Sequence, residues 1–251
     1  MENPYVWPVE LRAALAERLV DCELNRYPDP HASGVRDPLR AWMHIPSSLG
    51  MLFGNGSDEI IALLTSTLIA SGRSVCAPDP SFVMFQVLAK QHRVPFHALP
   101  LDATRDIDLD AWLATLRTAN PGILFVPQPN NPTGNLFSKD RLIQVIEATD
   151  ALVVIDEAYT AFTDADYVDW AIRYPNVVIM RTLSKVGLAG SRFGLLIGDP
   201  AWVDQLDKLR LPYNINALSQ AAVQFALEHA EVLERQSAAI RDERARLHAA
   251  L

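Results

Sequence analysis

Cysteine is scarce in this sequence: Cys22 and Cys76 are the only two in 251 residues, and they lie far apart. That excludes a disulfide scaffold, and without a short Cys spacing it argues against a zinc site; reduced thiols in a cytoplasmic protein are expected. The six histidines are scattered, and His92 and His97, the nearest pair, suggest no metal centre. No apolar run approaches the roughly 20 residues that a membrane-spanning helix needs, since the most apolar helix-length stretch, 60–70, is interrupted by Thr and Ser. The opening residues Met1-Glu2-Asn3-Pro4 are polar and lack the apolar region of a secretory signal. Positive charge is also in short supply, with 22 Lys and Arg against 30 Asp and Glu and a net charge of −8. An acidic surface of this kind argues against nucleic acid and anionic membranes as partners. No Gly-x-Gly-x-x-Gly or Walker pattern follows an apolar run, which disfavours a nucleotide-binding protein. Internal repeats and low-complexity segments are absent.

What remains is a soluble globular composition, 49% hydrophobic, long enough for one or two domains with a large core. Pro4 and Pro8 mark an extended arm, and apolar residues at 11, 15 and 19 predict a helix over 9–20. The segment 24–30 is punctuated by prolines and predicts a loop. Beyond it, short apolar runs alternate with helical patterns. Strands are expected at 50–53, 74–77, 95–99, 123–127, 152–155, 177–180 and 193–197. Helices are expected at 57–70, 82–92, 108–118, 139–148 and 201–209, and one continuous helical stretch over 217–251. Apolar strands alternating with helices predict an α/β fold, a mostly parallel sheet covered on both faces.

In such sheets ligands bind beyond the carboxyl ends of the strands, and that is where the unusual residues gather. Pro80-Ser81-Phe82 follows the second strand, and Pro129-Asn130-Asn131-Pro132-Thr133-Gly134 the fourth. Asp156-Glu157-Ala158-Tyr159 ends the fifth, and Ser184-Lys185 follows the sixth. Each has a plainer use. Asp156 could cap a helix, the Asn-Pro-Gly run could be an ordinary turn, and Phe82 could be a core aromatic. Tyr159 could be a half-buried surface residue, and Lys185 an exposed turn lysine. Gly54-Asn55-Gly56-Ser57-Asp58-Glu59 could hold nothing more than a Ser57 N-cap. Its other use is to offer the free N–H groups of a helix start to a phosphate, which requires the Asp58 and Glu59 carboxylates to face away. Four strands carrying polar residues at one end make a site. A lysine, an acidic residue, an asparagine, a tyrosine, an aromatic ring and a phosphate cradle are what pyridoxal phosphate needs. The lysine amine forms a Schiff base with its aldehyde, and an aspartate pairs with its ring nitrogen.

The motifs Met1-Glu2-Asn3-Pro4-Tyr5, Leu24-Asn25-Arg26-Tyr27-Pro28, 54–59, 129–134, Asp156-Glu157-Ala158-Tyr159 and Arg181-Thr182-Leu183-Ser184-Lys185 resemble those of the fold-type I pyridoxal-phosphate aminotransferases. The Asp-Glu-Ala-Tyr and Thr-Leu-Ser-Lys motifs mark the family, and Leu-Asn-Arg-Tyr-Pro narrows the resemblance to its histidinol-phosphate branch. The resemblance implies a three-layer α/β/α large domain and transfer of an amino group from histidinol phosphate to 2-oxoglutarate in histidine biosynthesis. It further implies that Lys185 holds the cofactor and moves the proton, that Asp156 faces the ring nitrogen, and that Asn131 and Tyr159 hold the phenolic oxygen. Phe82 would stack on the ring. Ser57 and Asp58, through backbone N–H groups, would bind the phosphate together with Ser184 and Arg192, with Thr182 in the same cofactor site. Tyr27 would reach the phosphate of a neighbouring subunit, which implies a homodimer with a shared site.

Three departures stand out: Phe82 in place of a frequent tyrosine, a Lys185–Arg192 spacing one residue shorter than in many relatives, and family members that continue well beyond residue 251. The expected layout is an arm and helix over 1–23, a cofactor-binding domain over 24–215, and a helix over 216–251 leading to a small domain largely missing. A chain of this extent is expected to bind cofactor poorly and transfer little. The same cofactor residues would also serve a threonine-phosphate decarboxylase, another amino-acid aminotransferase or a catalytically silent paralogue.

Overall fold

The computed structural model describes residues 3–251; Met1 and Glu2, which open the first motif and the 1–23 segment, lie outside the described residues. Among the described residues seven strands form one sheet: β1 (Gly50–Asn55), β2 (Ser74–Asp79), β3 (Phe96–Pro100), β4 (Pro121–Pro127), β5 (Leu152–Asp156), β6 (Val177–Thr182) and β7 (Phe193–Gly198). Their spatial order is β1-β7-β6-β5-β4-β2-β3. The helices interspersed with them are α1 (Val9–Val20), α2 (Ser33–Trp42), α3 (Ser57–Ser66), α4 (Met84–Gln91), α5 (Leu109–Ala119), α6 (Lys139–Glu147), α7 (Trp170–Arg173), α8 (Pro200–Asp207), α9 (Ala217–Glu228) and α10 (Ala230–Ala250).

The strands are apolar along their whole length because both faces are covered. Period-two alternation sends Val153, Ile155, Val177 and Ile179 into one core, where α2, α5, α6, α9 and α10 supply Leu39, Trp112, Val145, Val223 and Leu233. The alternate residues Val154, Val178 and Met180 pack on the other face against Ile61 and Leu64 of α3, Phe85 of α4 and Leu206 of α8. Each such buried side chain stabilises the fold by about 1.5–3 kcal/mol. The result is the expected α/β/α sandwich.

Of these strands only β7 runs against its neighbours, antiparallel to both β1 and β6. This reversal matters for the site. Asn55 pairs with Phe193 and Thr182 with Gly194, so the start of β7 meets the ends of β1 and β6 at one edge. Gly194 permits the meeting: a Cβ there would lie 2.6 Å from the Gly56 carbonyl carbon and the Ser57 nitrogen.

The short helix α7 has no counterpart in the sequence expectation, and three longer elements also differ from it. Helix α2 was not expected because Gly34, Asp37 and Pro38 lie in it, residues that punctuate chains more often than they build helices. Tertiary contacts hold it instead: Val35 and Leu39 are fully buried, and Arg40 donates to the carbonyls of Pro46 at 2.6 Å and Leu49 at 3.0 Å. Helix α3 stops at Ser66, four residues early, where the Ser66 and Thr67 hydroxyls donate back to the Leu63 and Leu64 carbonyls. The terminal stretch breaks at His229 (φ −127°, ψ 35°), whose ring packs on Phe225.

Candidate active site

A cavity opens at the carboxyl ends of β4, β5 and β6, and ten of the eleven residues singled out from the sequence line it. Asp156 forms its floor. The residue is 5% exposed and accepts one hydrogen bond, from the Ala158 N–H at 3.0 Å. Among the described residues no cation forms an ion pair with it. Burial pushes its carboxyl up to about 7, the charges of Glu157 and Asp58 add to the rise, and the Ala158 bond and Lys185 oppose it. Such a group is poised for a positive charge brought from outside.

Glu157, the next residue, points to the opposite face, as strand alternation requires. It is 1% exposed, and it accepts from Arg181 Nε at 2.7 Å and from the Tyr167 N–H at 2.8 Å. Burial raises its carboxyl too, with Arg181 pulling the other way. Arg181 also pairs with Asp166 at 3.1 Å. Two adjacent carboxylates thus have separate uses, one in the core and one in the cavity.

Lys185 sits on a single wide turn, Ser184–Leu188, directly after β6. Its Nζ lies 5.4 Å from the centre of the Tyr159 ring, over the face. Gly187 closes the turn at φ 116°, a conformation that side chains disfavour. The arm pins this turn from below, because the Asn3 amide donates to the Val186 carbonyl at 3.2 Å and to Gln236 at 3.0 Å. The Asn-Pro motif thereby acquires a structural reason.

The walls divide into an aromatic side and a polar side. Phe82 is half-buried at the cavity edge, held edge-on by Phe85 at 5.6 Å, which in turn stacks on Phe125 at 4.5 Å. Of the two adjacent asparagines, Asn130 is structural. It donates to the Pro80 carbonyl and Thr133 and accepts from Ser81, leaving Asn131 to face the cavity. Thr182 and Ser184 hold each other at 3.0 Å, and the Ser184 N–H donates to the Thr182 hydroxyl oxygen.

The remaining corner joins the start of α3 to Arg192. Helix α3 begins at Gly56 (φ 80°) with no side-chain cap, so its first N–H groups stay available, and Ser57 is not the N-cap. Glu59 faces away, accepting from the Asn55 N–H and the Asn214 amide. Asp58 does not: it lines the cavity, and its carboxylate accepts from Arg192 Nη2 at 3.2 Å. The expectation that both acids would turn outward is therefore corrected for Asp58, whose partner lies 134 residues away and left no local signal. The guanidinium packs so closely on Gly56 that a Cβ there would come within 2.5 Å of it.

Tyr27 is the one named residue outside the cavity. It is 81% exposed, and its ring stacks on Tyr213 at 4.6 Å. Pro127, Pro129 and Ala158 also line the cavity; the sequence assigns them no role, because backbone and wall are contributions that residue type alone does not advertise.

Known proteins resemble this chain along nearly its whole length. The family model "aminotransferase class I and II" matches residues 3–251. Histidinol-phosphate aminotransferase 2 of Nitrosococcus oceani is 44% identical over 251 residues, all of this chain and 70% of its own length. The histidinol-phosphate aminotransferase of Chromobacterium violaceum is 45% identical over the same 251 residues, again 70% of its length. The crystal structure of histidinol-phosphate aminotransferase from Sinorhizobium meliloti in complex with pyridoxal-5'-phosphate superposes with a TM-score of 0.85 at 23% identity. That match covers 98% of this chain and 67% of the other. A cavity lined by a buried carboxylate, a lysine and an arginine is thus found in a chain that belongs to the class I and II aminotransferases, enzymes that work with pyridoxal phosphate.

Proposed function

We propose that this chain carries the cofactor site of an enzyme that transfers the amino group of histidinol phosphate to 2-oxoglutarate, with pyridoxal phosphate held in the cavity between Asp156 and Lys185 and little transfer expected from these 251 residues by themselves. The observation that carries the site assignment is Asp156, buried and without a cationic partner among the described residues while facing a cavity that also holds an amine and an anion cradle. The donor set fits the cofactor group by group: carboxylate for ring nitrogen, amine for aldehyde, guanidinium and N–H groups for phosphate, and an aromatic side chain for the ring face. When bound, the cofactor supplies a protonated ring that withdraws electrons from the substrate α-carbon.

Each residue then has a task. Asp156 keeps the ring nitrogen protonated by ion pairing, an interaction strengthened by the low dielectric around it. Lys185 would hold the cofactor through its amine, and its free amine would take and return the proton at the substrate α-carbon. Asn131 and Tyr159 orient the phenolic oxygen, and Phe82 covers one ring face and keeps water from it. Ser57 and Asp58 through their N–H groups, Ser184 through its hydroxyl and Arg192 through its guanidinium hold the phosphate. Thr182 positions Ser184.

The substrate assignment draws its support from identities of 44% and 45% with histidinol-phosphate enzymes across the full 251 residues. A homodimer is proposed on Tyr27, which is exposed and does not line its own cavity, as expected of a residue serving a partner's phosphate. We further propose the division into 1–23, 24–215 and 216–251, and a cytoplasmic setting suited to two free thiols.

Borohydride reduction of the cofactor-loaded protein should fix the label on the peptide carrying Lys185; a label on Lys90, Lys139 or Lys208 would contradict the assignment. Lys185→Ala should retain weak cofactor binding and lose transfer. Glutamate formation from histidinol phosphate, set against carbon dioxide release from threonine phosphate, separates this reading from a decarboxylase.

A further inference from the structure

The Asp58–Arg192 pair is unexpected in a phosphate cradle. Arg192 is the only guanidinium among the residues that line the cavity, it enters from the position just before β7, and its backbone takes the left-handed form, φ 48°. Asp58 reaches it from the first turn of α3, where N–H groups and helix dipole favour an anion. The Asp58 carboxylate occupies Arg192 Nη2 at 3.2 Å, and both residues line the cavity. A phosphate placed against the same N–H groups and the Ser184 hydroxyl would share that guanidinium with a second anion. Both side chains are about half exposed, so the carboxylate has room to rotate into solvent.

We propose that Asp58 is a built-in competitor for the phosphate: its carboxylate holds Arg192 while no anion is bound and must yield it when a phosphate monoester enters. The inference rests on the reading of this corner as the cofactor's phosphate site and adds a residue that sets how tightly that group is held. Two consequences follow from the geometry. Arg192 is pre-positioned without a ligand, because its partner spans from β7 to α3. The affinity for phosphate is lower than the cradle alone would give, which keeps the cofactor exchangeable. The Asp58 charge is also among those that raise Asp156, so the same carboxylate opposes ionisation at the other end of the cavity.

Asp58→Asn and Asp58→Ala both keep the backbone N–H and the helix start. Binding of inorganic phosphate, pyridoxal phosphate and pyridoxal to the full chain should be measured calorimetrically for the wild type and both variants. Inorganic phosphate and pyridoxal phosphate should bind about fivefold tighter to both variants, the scale of a half-exposed ion pair, whereas pyridoxal, which lacks the phosphate, should change less than about twofold. Phosphate bound equally or more weakly by the variants, with pyridoxal phosphate still taken up, would overturn this inference alone and make Asp58 a residue that orients Arg192. Absence of phosphate binding in the wild type and both variants would overturn the cofactor reading together with it.

Discussion

Asp156 and Glu157 are neighbours in the chain, equally deep, and treated in opposite ways by the fold. Glu157 meets a guanidinium at 2.7 Å and a backbone N–H at 2.8 Å on its side of the sheet. Asp156 meets one N–H and an open cavity. A buried charge is costly unless paired. The protein meets that cost at Glu157 with its own arginine and leaves it standing at Asp156. The comparison teaches where to look for function: the carboxylate that the fold leaves uncompensated is the one that faces the cavity.

The largest effect should come from breaking the satisfied member. Glu157→Ala strands Arg181 in the core, and removal of one partner of a buried pair costs about 3–5 kcal/mol. Asp166 and the Met43 carbonyl remain within reach of Arg181, so the lower end of that range is expected in urea unfolding at pH 7.

Asp156 should behave in the opposite sense. Its carboxyl titrates at about 7 when folded against an ordinary 3.8, so the folded protein retains a proton that the unfolded chain has released. Without cofactor, its contribution to stability is therefore largest below about pH 4 and is lost as pH rises through 7, by about 4 kcal/mol at most. Asp156→Asn keeps the shape and removes the titration. Unfolding at pH 8 should show it about 2–4 kcal/mol more stable than the cofactor-free wild type, and pyridoxal phosphate should stabilise it less than it stabilises the wild type. A variant less stable than the wild type at pH 8 would place Asp156 with Glu157 as a structural carboxylate.

A smaller effect tests the wall instead of the floor. Phe82→Leu removes an aromatic face while keeping apolar bulk, and aromatic pairing is worth about 0.5–1.5 kcal/mol beyond area. Cofactor affinity should fall about three- to tenfold with little change in stability. An unchanged affinity would make Phe82 the core aromatic that its sequence context also allowed.

Much of this site is legible in the sequence because its parts are local: apart from Arg192, which precedes β7, the polar residues follow apolar runs, and parallel strands bring those ends together without further information. The α/β/α layering follows from the same alternation. What the sequence hides are relations across distance. Arg181 and Glu157 are 24 residues apart and Arg192 and Asp58 are 134 apart, and no spacing rule connects either pair. That Asp156 and Glu157 part to opposite faces is implicit in strand alternation, but which face holds the cavity depends on where α3 and α4 pack. Helix α2 escapes a reading by propensity because its support comes from Met51, Pro46 and Leu49 and not from its own residues.

The most direct test of the contrast is to titrate the Asp156 carboxyl itself, by carbon-13 NMR of aspartate-labelled protein with Asp156→Asn to assign the signal. Without cofactor the midpoint should lie near 7, and with pyridoxal phosphate bound it should drop well below the ordinary 3.8 as the ring nitrogen's charge pairs with it. A midpoint near the ordinary value in the free protein, or one that the cofactor leaves unmoved, would contradict the claim that this carboxylate is kept uncompensated for the ligand.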